Sequence, residues 1–107
     1  MSITFNQSVL QLLNEIETAM QQKTLWQSLP PKPEAFLSEQ PFALDMMSCY
    51  EWLQWIFLPR MRALIDADAT LPRNFVLHPY FEEALKEEDE ALVLLSLIKQ
   101  LDQLVKQ

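Results

Sequence analysis

The chain has 107 residues, half of them apolar, which suffices for one continuous core and places residues 1–107 in a single domain. Its 15 acidic residues against 8 basic ones give a formal charge of -7, a field that repels a phosphate backbone and argues against direct nucleic-acid binding. Glycine is absent, which excludes phosphate-cradling and dinucleotide loops and the Asn-Gly or Asp-Gly hairpins of β proteins, so an all-α architecture is expected.

From about Ile3 to Lys23, the residues Phe5, Val9, Leu12, Leu13, Ile16, Ala19 and Met20 recur at steps of three and four, the spacing of one helix face. The opposite face carries Asn6, Gln7, Gln11, Asn14, Glu17, Gln21 and Gln22 and is suited to water. Pro30-Pro31-Lys32-Pro33 then stops any helix, and Trp26 and Phe36 are expected to anchor this stiff connection to the core.

After Pro41, Ser48 and Glu51 have the spacing of a capping box, with Met47 and Trp52 placed as a hydrophobic staple. The helix they open runs to about Ala67 and is apolar on most of its circumference, through Trp52, Leu53, Trp55, Ile56, Phe57, Leu58, Met61, Leu64 and Ile65. It is expected at the centre of the bundle, kinked at Pro59, which removes the bond to the Trp55 carbonyl. Pro79 suits the first position of a short helix ending near Leu85. A last helix spans about Glu90 to Val105, with Ala91, Leu94, Leu95, Ile98, Leu101 and Val105 on one face. Lys99 and Lys106 lie toward its C-terminus, where cations suit the dipole. The sum is a compact bundle of three main helices plus short helical segments.

The longest apolar runs, Trp55 to Leu58 and Ala91 to Leu95, fall far short of the ~20 residues that cross a bilayer, so no membrane association is expected. The N-terminus lacks the basic residue and long apolar run of a secretory signal. A lone cysteine, Cys49, forms no internal disulfide, and the expected compartment is the cytoplasm.

Catalytic equipment is sparse. The one conceivable nucleophile pair is Cys49, in the first turn of the central helix where the dipole favours a thiolate, with His78. Packing is the favoured reading of both, since no third orienting group is suggested. One histidine and one cysteine do not make a zinc site, and the acidic run Glu82, Glu83, Glu87, Glu88, Asp89 and Glu90 lacks the alternating ligands and central glycine of a calcium loop. No catalytic residue, metal or cofactor is therefore expected.

Aromatics three apart, Trp52 and Trp55, either fill a core or anchor a partner. Arg60 shares a face with Leu53, Phe57 and Leu64, which predicts a part-buried charge paired with Asp45 or Asp66. A local basic patch of Arg60, Arg62 and Arg73 is the minority reading. Trp52, Trp55, Arg60, Arg73 and Tyr80 are the candidate binding residues, and Asp45, Ser48, Glu51 and Pro59 the structural ones.

The middle of the chain carries Pro41-Phe42, Asp45, Met47, Glu51-Trp52-Leu53-Gln54-Trp55, Pro59-Arg60-Met61, Leu71-Pro72, Phe75, Pro79-Tyr80 and Ala84-Leu85. In these residues and their spacing, from about Trp26 to Leu85, it resembles the YqcC-like family of small bacterial proteins. The resemblance implies a helical bundle with no established enzymatic activity, associated with tRNA pseudouridine synthase C. The leading functional expectation is thus a non-enzymatic interaction module whose protein partner is such a synthase. The alternative is a bundle that binds a small apolar ligand in a pocket near Trp52 and Trp55. A symmetric homodimer through exposed apolar residues is also open.

Overall fold

The computed structural model describes residues 4–106, and among these every regular element is helical. Helix α1 spans Phe5–Gln22. Two short 3-10 turns follow, Pro33–Leu37 and Pro41–Ala43. The central run comprises α2 (Cys49–Trp52), a π-helical stretch (Leu53–Phe57) and α3 (Leu58–Asp66). Helix α4 is His78–Ala84, a 3-10 turn covers Asp89–Ala91, and α5 is Leu92–Val105. Ile3, the expected start of the first helix, lies outside the described residues.

Why α1 and α5 pair is legible in their spacing. Val9, Leu13, Ile16 and Met20 on one, and Leu94, Ile98, Leu101 and Val105 on the other, follow the same four-three-four pattern and are buried. The two helices pack along each other, with α3 against α1 and α4 against α5. Each such side chain contributes roughly 1.5–3 kcal/mol on burial. Leu53, Phe57, Leu58, Met61 and Phe81 complete the core.

Helix α1 and the central run each open on a reciprocal cap. Thr4 Oγ1 accepts from the Gln7 N–H while Gln7 Oε1 accepts from the Thr4 N–H, at 3.1 and 3.0 Å. Ser48 and Glu51 repeat the arrangement at 3.2 and 2.9 Å, as their spacing predicted. Met47 is buried with Trp52 packed on it, which is the expected staple.

At Pro59 the helix adapts by widening. The Leu58 N–H donates to the Leu53 carbonyl, five residues back, so the interruption expected at the proline takes the form of a π turn over Leu53–Phe57. The run is also less enclosed than its composition suggests. Pro59 and Arg60 are exposed, and Trp55 and Ile56 are half-buried.

The glycine-free chain still uses the left-handed region, at Thr24, Phe42, Ala43, Asp68 and Asn74. Thr24 and Asp68 sit just past the ends of α1 and α3. There the N–H of Leu25 reaches the Met20 carbonyl at 2.8 Å, and that of Ala69 reaches Leu64 at 2.9 Å. These are Schellman closures, in which glycine is the usual residue.

Candidate functional site

Besides the small core of Ala35, Ala43 and Met47, one aromatic side chain ties the 29–47 connection to the central helix. Phe42 holds a left-handed backbone, φ 59°, an outlier for a bulky residue. Its ring stacks on Tyr80 at 4.2 Å with planes 11° apart, and meets Trp52 edge-on at 4.9 Å. Trp52 in turn stacks on Phe57 at 5.3 Å. Of the candidate binding residues, Trp52 and Tyr80 are thus brought together, half-buried, as the platform under Phe42. Burial, then the nearby Cys49, push the Tyr80 phenol above its ordinary range.

Trp55 belongs to a different surface. With Trp26, Gln27, Ser28, Gln54, Pro59 and Arg62 it lines an open cleft of about 580 Å³ that does not include Trp52. Its indole N–H donates to Gln27 Oε1 at 3.4 Å.

The expectation for Arg60 is corrected. Arg60 is exposed, and among the described residues it forms no ion pair with Asp45 or Asp66. The proline-induced π turn precedes it and shifts the register of the face it was assigned to. Asp45 instead accepts from the Ser38 hydroxyl and ties the two 3-10 turns together. Among the described residues, the cation that does cross-link helices is Arg62, 2.6 Å from Glu17 Oε1 and 3.0 Å from Asn14 Oδ1. Arg73 lies 3.5 Å over the Phe5 ring, so Arg62 and Arg73 are engaged with different partners.

Cys49 is buried, and desolvation outweighs the helix dipole: its thiol is pushed up to about 11, with Glu88 adding to the effect. His78 is engaged elsewhere, its Nε2 4.0 Å from Glu82. Tyr50, beside Cys49, donates its hydroxyl to Glu88 at 2.7 Å and is likewise raised, first by burial and then by that carboxylate. Phe36, expected to anchor the proline-rich connection to the core, is 43% exposed.

Three tertiary contacts escape sequence reading. Gln54, 4% exposed, donates through Nε2 to the Gln27 carbonyl at 2.7 Å and accepts from the Gln27 N–H at 2.8 Å. Asp102 accepts from the N–H groups of Leu77 and His78 at 2.9 and 2.8 Å, capping α4 from α5. A glutamine inside an apolar run was the one available signal for the first; nothing local signals the second or the Arg62 bridge.

Residues 8–104 match the family DUF446, described as tRNA pseudouridine synthase C. The fold matches the solution NMR structure of protein YqcC from Escherichia coli with a TM-score of 0.84, at 35% identity, covering 96% of this chain and 89% of that one. The chain belongs to the YqcC-like family. The match extends the resemblance from the middle of the chain into both terminal helices. Another member is an uncharacterized protein of Haemophilus influenzae, 49% identical over 94 residues, which are 88% of this chain and 89% of that protein. A protein of Pectobacterium carotovorum named tRNA pseudouridine synthase C is 52% identical over 67 residues. Those residues are 63% of this chain and 18% of that protein. Among the described residues, no helix is long and apolar enough to cross a membrane.

Proposed function

We propose that this chain is a non-enzymatic accessory module that binds a tRNA pseudouridine synthase. The observation that carries the reading is the Pectobacterium relative, in which the similar stretch is only 18% of a protein named for the synthase. The activity in that name has the rest of the length to reside in, and a module sharing a chain with an enzyme works beside it. The chemistry of the bundle supports a non-catalytic role, since its one thiol is buried and held protonated. The chain acts in the cytoplasm, where its partner meets tRNA, and carries its effect through protein contact rather than by binding nucleic acid itself.

The test is affinity capture of the tagged protein from its native cytoplasm at moderate salt, with mass spectrometry of what is retained. Recovery of a tRNA pseudouridine synthase is the expected result. Its consistent absence, with the protein folded, overturns the reading. A second reading has one observation in its favour, the cleft between Trp26, Trp55 and Pro59. A small apolar ligand held there raises the melting temperature and quenches indole fluorescence, and Trp55→Ala removes both effects.

A further inference from the structure

Among the described residues eight large apolar side chains are exposed, and four of them fall between residues 36 and 46: Phe36 (43%), Leu37 (79%), Leu44 (61%) and Met46 (46%). Their neighbours explain why they are left exposed. Ala35, Ala43 and Met47 pack together in a small core of their own, against Trp52 and Ile56. Residues 36, 44 and 46 flank those buried positions, and the Ser38–Asp45 hydrogen bond holds the remainder of the two turns together. Phe36, Leu37, Leu44 and Met46 are therefore the exposed apolar side chains of one shelf, residues 33–47, whose buried positions are already filled.

The shelf is also tied down at its centre. Phe42 and Ala43 occupy left-handed backbone, at φ 59° and 48°, a conformation that costs energy and persists only where surroundings over-determine it. Stacking of Phe42 on Tyr80 and its edge contact with Trp52 supply that determination. A surface held in one shape before binding loses little conformational freedom on association. Its charged residues are Glu34, Glu39 and Asp45 against Lys32 alone, in a chain of net charge -7.

We propose that this shelf, Phe36, Leu37, Leu44 and Met46 rimmed by Glu34, Glu39 and Asp45, is the docking surface for a basic, RNA-handling enzyme. The inference rests on the accessory reading above and names the surface that reading needs. Charge complementarity selects the occupant. An enzyme that grips a phosphate backbone presents cationic surface, which the acidic rim attracts, while the apolar side chains fill a hydrophobic depression beside it. A second copy of this chain would bring like charges together at the same rim. Trp52 and Tyr80, singled out from the sequence as binding residues, then act from beneath by holding Phe42 in place.

The experiment is a calorimetric titration of the purified tRNA pseudouridine synthase C of the same cell with the wild-type chain, the Leu37→Glu/Leu44→Glu double variant, and Leu92→Glu as a control on α5. Circular dichroism and melting temperature establish that each variant is folded, as expected for changes at exposed positions. The double variant should bind at least about tenfold more weakly, Leu92→Glu like wild type, and wild-type affinity should fall as salt rises. If wild type binds and the double variant binds equally well, the shelf is not the interface and the accessory reading stands without it. If wild type does not bind, the accessory reading fails and the shelf proposal with it. If sedimentation shows self-association that the double variant abolishes, the occupant is a second copy and the proposal is overturned.

Discussion

Gln54 is bonded at both ends of its amide to one residue, Gln27, whose backbone N–H and carbonyl it satisfies at 2.8 and 2.7 Å. This pin fixes the chain leaving α1 onto the central helix at the point where the π turn begins. Replacing Gln54 by Ala leaves two backbone groups without partners, at roughly 1–3 kcal/mol each when buried. Because Gln27 is only half-buried, Gln54→Ala should lower stability toward the lower end of that sum, by about 2–4 kcal/mol, and Gln54→Glu, which keeps shape but cannot donate, by a substantial part of that. Urea denaturation measures both.

The cap that Asp102 places on α4 is charge-assisted and long-range, and its loss exposes the first amides of a seven-residue helix. Asp102→Ala should cost roughly 1.5–3 kcal/mol, with Asp102→Asn milder because one acceptor oxygen remains. Amide hydrogen exchange at Leu77 and His78 should accelerate more than exchange in α1.

Thr24 and Asp68 close α1 and α3 in the left-handed region at φ 58° and 54°. Thr24 is β-branched and bears the greater strain. Thr24→Gly should stabilise the protein by about 1 kcal/mol and Asp68→Gly by less, since Asp tolerates this conformation better. Paired thermal melts decide it; destabilisation by Thr24→Gly would contradict the assigned strain.

Cys49 makes stability pH-dependent in the alkaline range. In the unfolded chain the thiol ionises near its ordinary value of 9.0, whereas in the folded protein burial holds it protonated to about 11. Above 9.0 the unfolded state therefore binds fewer protons, and stability present below that pH is lost as pH rises toward about 11. Tyr50, raised by burial and Glu88, acts in the same direction at higher pH. Denaturation at pH 7.5 and 10.5 should show this loss, and Cys49→Ala should lessen it. In the native protein at pH 8 the buried thiol is held protonated, so disulfide reagents should react with Cys49 slowly until it unfolds.

The helices were legible because their information is local. Val9, Leu13, Ile16 and Met20, or Ser48 with Glu51, announce themselves within a turn or two. The site was only partly legible, because it is assembled across the chain. Arg60 looked buried on an ideal helical wheel, but the π turn ahead of Pro59 shifts that wheel, and Arg62 makes the ion pair instead. Asn14 and Glu17 read as solvent-facing, and their partner lies more than forty residues away. Phe42 gave no sign of left-handed backbone, since what permits it is stacking on Tyr80, a contact between distant segments.

The accessory role is tested most directly by mixing the purified chain with the purified tRNA pseudouridine synthase C of the same cell and measuring the mass of the product by sedimentation at low and moderate salt. The account predicts a saturable complex of defined stoichiometry that weakens as salt increases. Two independent boundaries at every concentration and salt, with both proteins folded, would contradict it.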